Sequence, residues 1–82
     1  MKEKDLRWFL ICSFRYSLGR KSYAPDYTCD LIKKYGDVLK VHHLRQMIDD
    51  IENYNYDNLD YENLWQDLRV WMENKIVERY EE

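Results

Sequence analysis

Apolar and polar positions along the chain fall into four runs of helical period separated by short polar corners. In the first run, Trp8, Phe9, Leu10, Ile11, Cys12, Phe14 and Leu18 cannot share one face, because successive helical residues are turned by about 100°. A helix apolar most of the way round belongs in an interior. The first element, over residues 5–18, is therefore expected to be the central and most buried one, with Asp5 as its N-cap and Gly19 as a left-handed stop. Pro25 suits the first position of a second helix over residues 25–35, which offers Cys29, Leu31 and Ile32 for packing and ends at Gly36. Asp37 is expected to cap a third helix, whose apolar stripe is Leu44, Met47, Ile48 and Ile51 and whose other face carries Lys40, Arg45, Asp49, Asp50 and Glu52. The pattern fails at residues 53–58, NYNYDN, which read as a loop. Asp57, Asn58 or Asp60 is in position to cap a long fourth helix, where Tyr61, Leu64, Trp65, Leu68, Trp71 or Met72, Ile76 and Tyr80 keep helical spacing for five turns.

No stretch alternates like a strand, nothing repeats, and no Gly/Ser-rich linker interrupts the chain. The expectation is an all-α fold: one domain over residues 1–82, a compact bundle of about four helices. Its core would be drawn from Phe9, Leu10, Cys12, Phe14, Leu31, Ile32, Leu44, Met47, Ile48, Ile51, Leu64, Leu68 and Met72. A chain of 82 residues buries only about 60–65% of the surface it exposes when unfolded. The 16% aromatic content offsets that thin margin, since each buried ring removes on the order of 150–250 Å² from water.

Charge and cysteine content narrow the picture further. The net charge of −3 hides an asymmetry: residues 1–48 hold ten Lys and Arg against five Asp and Glu, and residues 49–82 hold three against eleven. Halves of opposite sign attract one another within a fold or between subunits, and nonspecific nucleic-acid binding by the whole chain is not expected. The surplus of Trp65 and Trp71 on one helix, added to that charge split, points to a homo-oligomer. Cys12 and Cys29 lie inside expected helices, and the first five residues are polar rather than leader-like, which fits a reducing, cytoplasmic setting. The longest apolar run, residues 8–12, is far short of the roughly 20 residues that span a membrane.

Three kinds of chemistry are open to such a chain. A metal site would have to use His42, His43, Cys12 or Cys29, yet adjacent histidines on a helix diverge and no CxxC or HxxxH spacing occurs, so no metal or other cofactor is expected. A Cys–His nucleophile is disfavoured because Cys12 sits in the most apolar stretch, where burial blunts a thiol, and the chain is not expected to be an enzyme. Binding is the remaining class. Arg15, Tyr16, Arg20, Lys21, Ser22 and Tyr23 crowd a corner after the first helix, and clustered cations repel unless something negative is near. Arg15 would either join an internal ion pair with Asp or Glu or anchor a phosphate-bearing ligand. Gly19, by breaking the helix, would let Arg20 converge on Arg15. The second candidate is the acidic, Tyr-rich stretch with Tyr54, Tyr56, Asp57, Asp60, Tyr61 and Trp65. It is either a solvated face or a protein-binding patch, since Tyr supplies contact area at low entropic cost.

The segment FRYSLGRKSYAPDYTCDLI, residues 14–32, resembles the FRYALGRxTYxxSxVxxxI signature of a family of small, mostly uncharacterised bacteriophage and prophage proteins. Phe14, Arg15, Tyr16, Leu18, Gly19, Arg20, Tyr23 and Ile32 fall on the pattern, and Ser17 and Ser22 replace a small residue and a threonine. The likeness covers about a quarter of the chain. It implies a phage setting, within the host cytoplasm, and carries no activity of its own. By analogy with small phage proteins outside the virion, it implies an antagonist of host antiviral defence. Together with the cationic corner, which offers phosphate donors and stacking faces side by side, the expectation is a sponge for an anionic nucleotide signal. The alternative is an anti-CRISPR-like inhibitor that caps a host defence enzyme with its acidic Tyr/Trp-rich half.

Overall fold

The structure, a computed structural model, describes residues 2–19 and 25–80, the side chain of Tyr80 excepted. The fold is all-α: α1 (Glu3–Gly19), α2 (Pro25–Tyr35), a one-turn 3-10 helix (Gly36–Val38), α3 (Val41–Asn53) and α4 (Leu59–Tyr80), with no strand among the described residues. These elements form two compact units, Met1–Leu39 and Lys40–Glu82.

In the first unit α1 packs on α2 and on the 3-10 turn. Its buried side chains are Leu10, Ile11, Phe14, Ser17 and Leu18, which share about 120° of the helix circumference. They are joined by Thr28, Cys29 and Ile32 of α2 and by Leu39. Arg7, partly buried, donates from Nε to the Val38 carbonyl at 2.8 Å and pairs with Glu3 one turn earlier at 3.3 Å. That first bond fastens α1 to the turn after α2. It satisfies a carbonyl that a short 3-10 segment leaves open, while the Glu3 pair, half in water, adds little.

The expectation that α1, apolar most of the way round, lies in the interior is corrected. Trp8 is 64% exposed and Phe9 47%, and Cys12, Arg15 and Tyr16 are exposed as well. The reason is geometric: a helix packed against neighbours on one side covers one stripe, whatever residues lie on the other. Phe9 and Cys12 therefore leave the expected core. Two end signals also change. α1 starts at Glu3, with the Lys2 carbonyl accepting the Leu6 N–H at 3.0 Å, so Asp5 is a first-turn acid facing the positive end of the helix dipole rather than its N-cap. Gly19 is the last residue of α1, no described glycine has positive φ, and the left-handed stop is absent.

In the second unit α3 packs on α4. Leu44, Met47 and Ile51 of α3 and Trp65, Leu68 and Met72 of α4 are buried, while Ile48 and Leu64 are half-buried, as is Leu31 of the first unit. α3 begins later than Asp37 implied, because Asp37 lies within the 3-10 turn. Lys40 is the N-cap in extended backbone; its carbonyl accepts the Leu44 N–H at 3.1 Å, and its own N–H donates to His43 Nδ1 at 3.2 Å. On α4, Arg69 bridges Gln66 and Glu73, each at 2.6 Å, and Lys75 sits 5.4 Å from the centre of the Trp71 ring. Such i,i+3 and i,i+4 ties support the long helix along its wetter side.

Candidate functional site

The turn between α3 and α4 builds the most organised surface feature of the second unit. After Asn53 the chain turns extended at Tyr54, which ends α3 and leaves its last carbonyls without helical partners. Tyr56 supplies one of them: its hydroxyl donates to the Ile51 carbonyl at 2.8 Å. Asn58 then starts α4. Its side-chain oxygen accepts the Tyr61 N–H at 3.0 Å and its carbonyl accepts the Glu62 N–H at 3.0 Å, the pattern of an N-cap bonding to the third helical residue. Of the three cap candidates in the sequence, Asn58 is the one used.

These bonds hold four rings in a row. Tyr54 and Tyr56 lie edge to face with centroids 5.0 Å apart, Tyr56 and Tyr61 are 6.2 Å apart, and Tyr61 meets Trp65 edge-on at 5.9 Å. Such spacings are within the range where ring quadrupoles attract. Trp65 is fully buried and the three tyrosines are half-buried, so the row runs from the core outward to solvent. Asp57 and Asp60 are exposed beside it, and Glu52 is exposed on the last turn of α3. Of the six residues expected in a protein-binding patch, five are surface groups gathered around one turn. Trp65 is corrected: with no exposed surface it is the platform beneath the row, not a contact residue.

The cationic corner is partly in view. Arg15 and Tyr16 are exposed on the last turns of α1, whereas Arg20, Lys21, Ser22 and Tyr23 lie outside the described residues. Arg15 makes no ion pair among the described residues and, being exposed, has no desolvation to offset. α1 does end at Gly19, though without positive φ, and the expected convergence of Arg20 on Arg15 lies outside the described residues.

Cysteine and histidine also fall differently from the sequence picture. Cys12 is an exposed free thiol and Cys29 a buried one. The premise that Cys12 is shielded in an apolar interior is thus withdrawn, because it lies on the outer side of α1. His42 and His43 rest with ring centroids 4.0 Å apart, His42 exposed and His43 half-buried in its capping role. Among the described residues no three His, Cys, Asp or Glu gather as metal ligands, and no helix is long and apolar enough to cross a membrane.

The sequence reading missed the aromatic outer face of α1, Trp8 with Phe9 and Tyr16. The signal was available: more large apolar residues occupy that helix than one buried stripe can hold. No protein-family model, curated protein or solved structure matches the chain.

Proposed function

We propose that the protein is a non-enzymatic binding module that caps a basic surface of a partner protein with the tyrosine row and acids of the α3–α4 turn. The observation that carries this reading is the row itself, three part-exposed tyrosines held over a buried tryptophan by a cap and a hydroxyl bond, with Asp57 and Asp60 beside it. Rings already fixed in place lose little freedom on binding, and Tyr is among the residues that dominate interface energetics. Charge agrees: residues 40–82 carry five Lys and Arg against eleven Asp and Glu, so a cationic partner is attracted and nucleic acid repelled. In the phage setting that the resemblance of residues 14–32 implies, the partner is a host defence enzyme and the capped surface its nucleic-acid-binding face.

The test is capture from host extract on the immobilised protein, identification of the retained protein, and a repeat of the binding with purified components. Asp57→Lys with Asp60→Lys is expected to weaken that binding at least tenfold, and added double-stranded DNA to compete for it. A retained protein indifferent both to this double variant and to DNA defeats the reading. A second reading, a nucleotide sponge, is favoured by one observation: Arg15, beside Tyr16, is an exposed guanidinium without an ion pair among the described residues. It calls for a thermal shift with cyclic or linear nucleotides that falls steeply with salt and disappears in Arg15→Ala.

A further inference from the structure

The outer face of α1 is self-complementary, and we infer that it pairs with the same face of a second copy of this chain, antiparallel about a two-fold axis at Cys12. Arg15, Trp8, Cys12, Tyr16 and Phe9 fall in that order within about 120° of the helix circumference, and all five are exposed. Cys12 is at the middle of this set both around the helix and along it. Trp8 and Arg15 lie to one side of the line through Cys12, about 6 Å before it and about 4.5 Å after it. Phe9 and Tyr16 lie to the other side at about the same heights in the same order.

A two-fold axis that makes two such helices antiparallel keeps each side on its side and reverses the heights. Trp8 then meets Arg15 of the second copy, Phe9 meets Tyr16 of the second copy, and each pair occurs twice. The first is a cation over the most electron-rich ring in proteins, the second an aromatic pair. Asp5, further out on the same face, comes level with Gly19 of the second copy, where an added Cβ would meet nothing within 4 Å. A heterologous partner would need a separate match for each group, whereas the chain already carries the match for all of them. An isologous contact of this kind is the commonest route to a symmetric dimer.

Area sets its strength. Trp8, Phe9 and Tyr16 at 64%, 47% and 49% exposure leave roughly 300 Å² of aromatic surface per chain, the size of the largest apolar patch on a typical monomer, which is often functional. Two such faces bury less than the roughly 1,200 Å² of a standard stable interface, so the dimer is weak and reversible. The inference uses the first unit alone and does not depend on the partner surface proposed for the second.

Sedimentation equilibrium of the full chain, from about 10 µM to 1 mM, is expected to show its average mass rise from 10.3 kDa toward twice that value. Trp8→Lys, which sets like charges opposite Arg15, and separately Arg15→Glu, both at exposed positions, should keep the helical circular-dichroism spectrum and weaken the dimer at least tenfold. Facing helices 8–10 Å apart bring the two Cys12 Cα atoms to about 3.4–5.4 Å, the wider spacings lying within disulfide range. Copper–phenanthroline should therefore yield a covalent dimer, lost in Cys12→Ser. Direction is tested in the Cys12→Ser background by mixing Asp5→Cys with Gly19→Cys. A cross-link between the two different variants supports the antiparallel pair, and a cross-link of Asp5→Cys to itself overturns it. A mass that stays at one chain across the range, or a dimer indifferent to Trp8→Lys and Arg15→Glu, overturns the inference altogether.

Discussion

At the scale of single residues, two polar side chains decide where the second unit turns. Asn58 and Tyr56 answer the same physical demand from opposite sides, one accepting an N–H at the start of α4, the other donating to a carbonyl at the end of α3. Asn58→Ala removes the acceptor and is expected to lower unfolding free energy by about 0.5–2 kcal/mol in urea titration, while Asn58→Asp keeps most of it. Because the tyrosine row stands on that corner, the same variant should weaken partner binding more than its stability loss alone explains. Asn58 was one of three cap candidates in the sequence, and nothing in the residues alone separated it from Asp57 and Asp60. A cap is chosen by where the chain enters the helix, which is set by packing rather than by side-chain chemistry.

Among elements, the helices themselves were legible and their ends less so. The bounds of α2 were read from Pro25 and Tyr35, and the apolar stripes of α3 and α4 from their spacing, because period alone fixes which residues can be buried together. The exposed side of α1 was hidden from the same reasoning. Periodicity reports that a helix has apolar groups all round but says nothing of how many neighbours arrive to cover them. Trp65 was misassigned for a related reason: as a member of an acidic, aromatic stretch it resembled a contact residue, yet its place on the α4 stripe with Leu68 and Met72 puts it fully inside. Gly19 gives the element scale its own prediction. It ends α1 in ordinary right-handed backbone with open space where a Cβ would stand, so Gly19→Ala is expected to raise stability by about 0.4–1 kcal/mol, measured as a higher urea midpoint at unchanged slope. A loss of stability would show that the glycine is needed in a conformation that α1 does not display.

For the whole molecule, the contact pattern and the charge pattern divide the chain in nearly the same place. Residues 1–39 carry eight Lys and Arg against five Asp and Glu, and the remainder five against eleven. The sequence disclosed the all-helical composition and a charge split, counted between residues 48 and 49, but not a boundary at Leu39. It assigned the surplus aromatic area to α4, whereas among the described residues the most exposed rings are Trp8 on α1 and Tyr27 on α2. Each unit thus presents its own surface chemistry, cation with ring in the first and acid with ring in the second. Salt separates them: binding through the acidic turn should weaken as ionic strength rises, while an aromatic α1 pair should change little.

The placement of the tryptophans has a spectroscopic consequence. Trp8, largely in water, belongs to the first unit, and Trp65, wholly out of it, belongs to the second; Trp71 is half-covered beside Lys75. The chain therefore carries its own pair of optical reporters. In Trp71→Phe protein, iodide is expected to quench the red-shifted emission of Trp8 and leave the blue-shifted emission of Trp65 almost untouched. Urea should then move the Trp65 band to the red as the second unit opens, while far-ultraviolet dichroism follows the helices of both. Coincident midpoints would mean that the two units melt as one cooperative body, and separate midpoints that each keeps its own stability. Raising the protein concentration offers a third readout from the same light, because a Trp8 ring covered by a guanidinium loses its access to iodide.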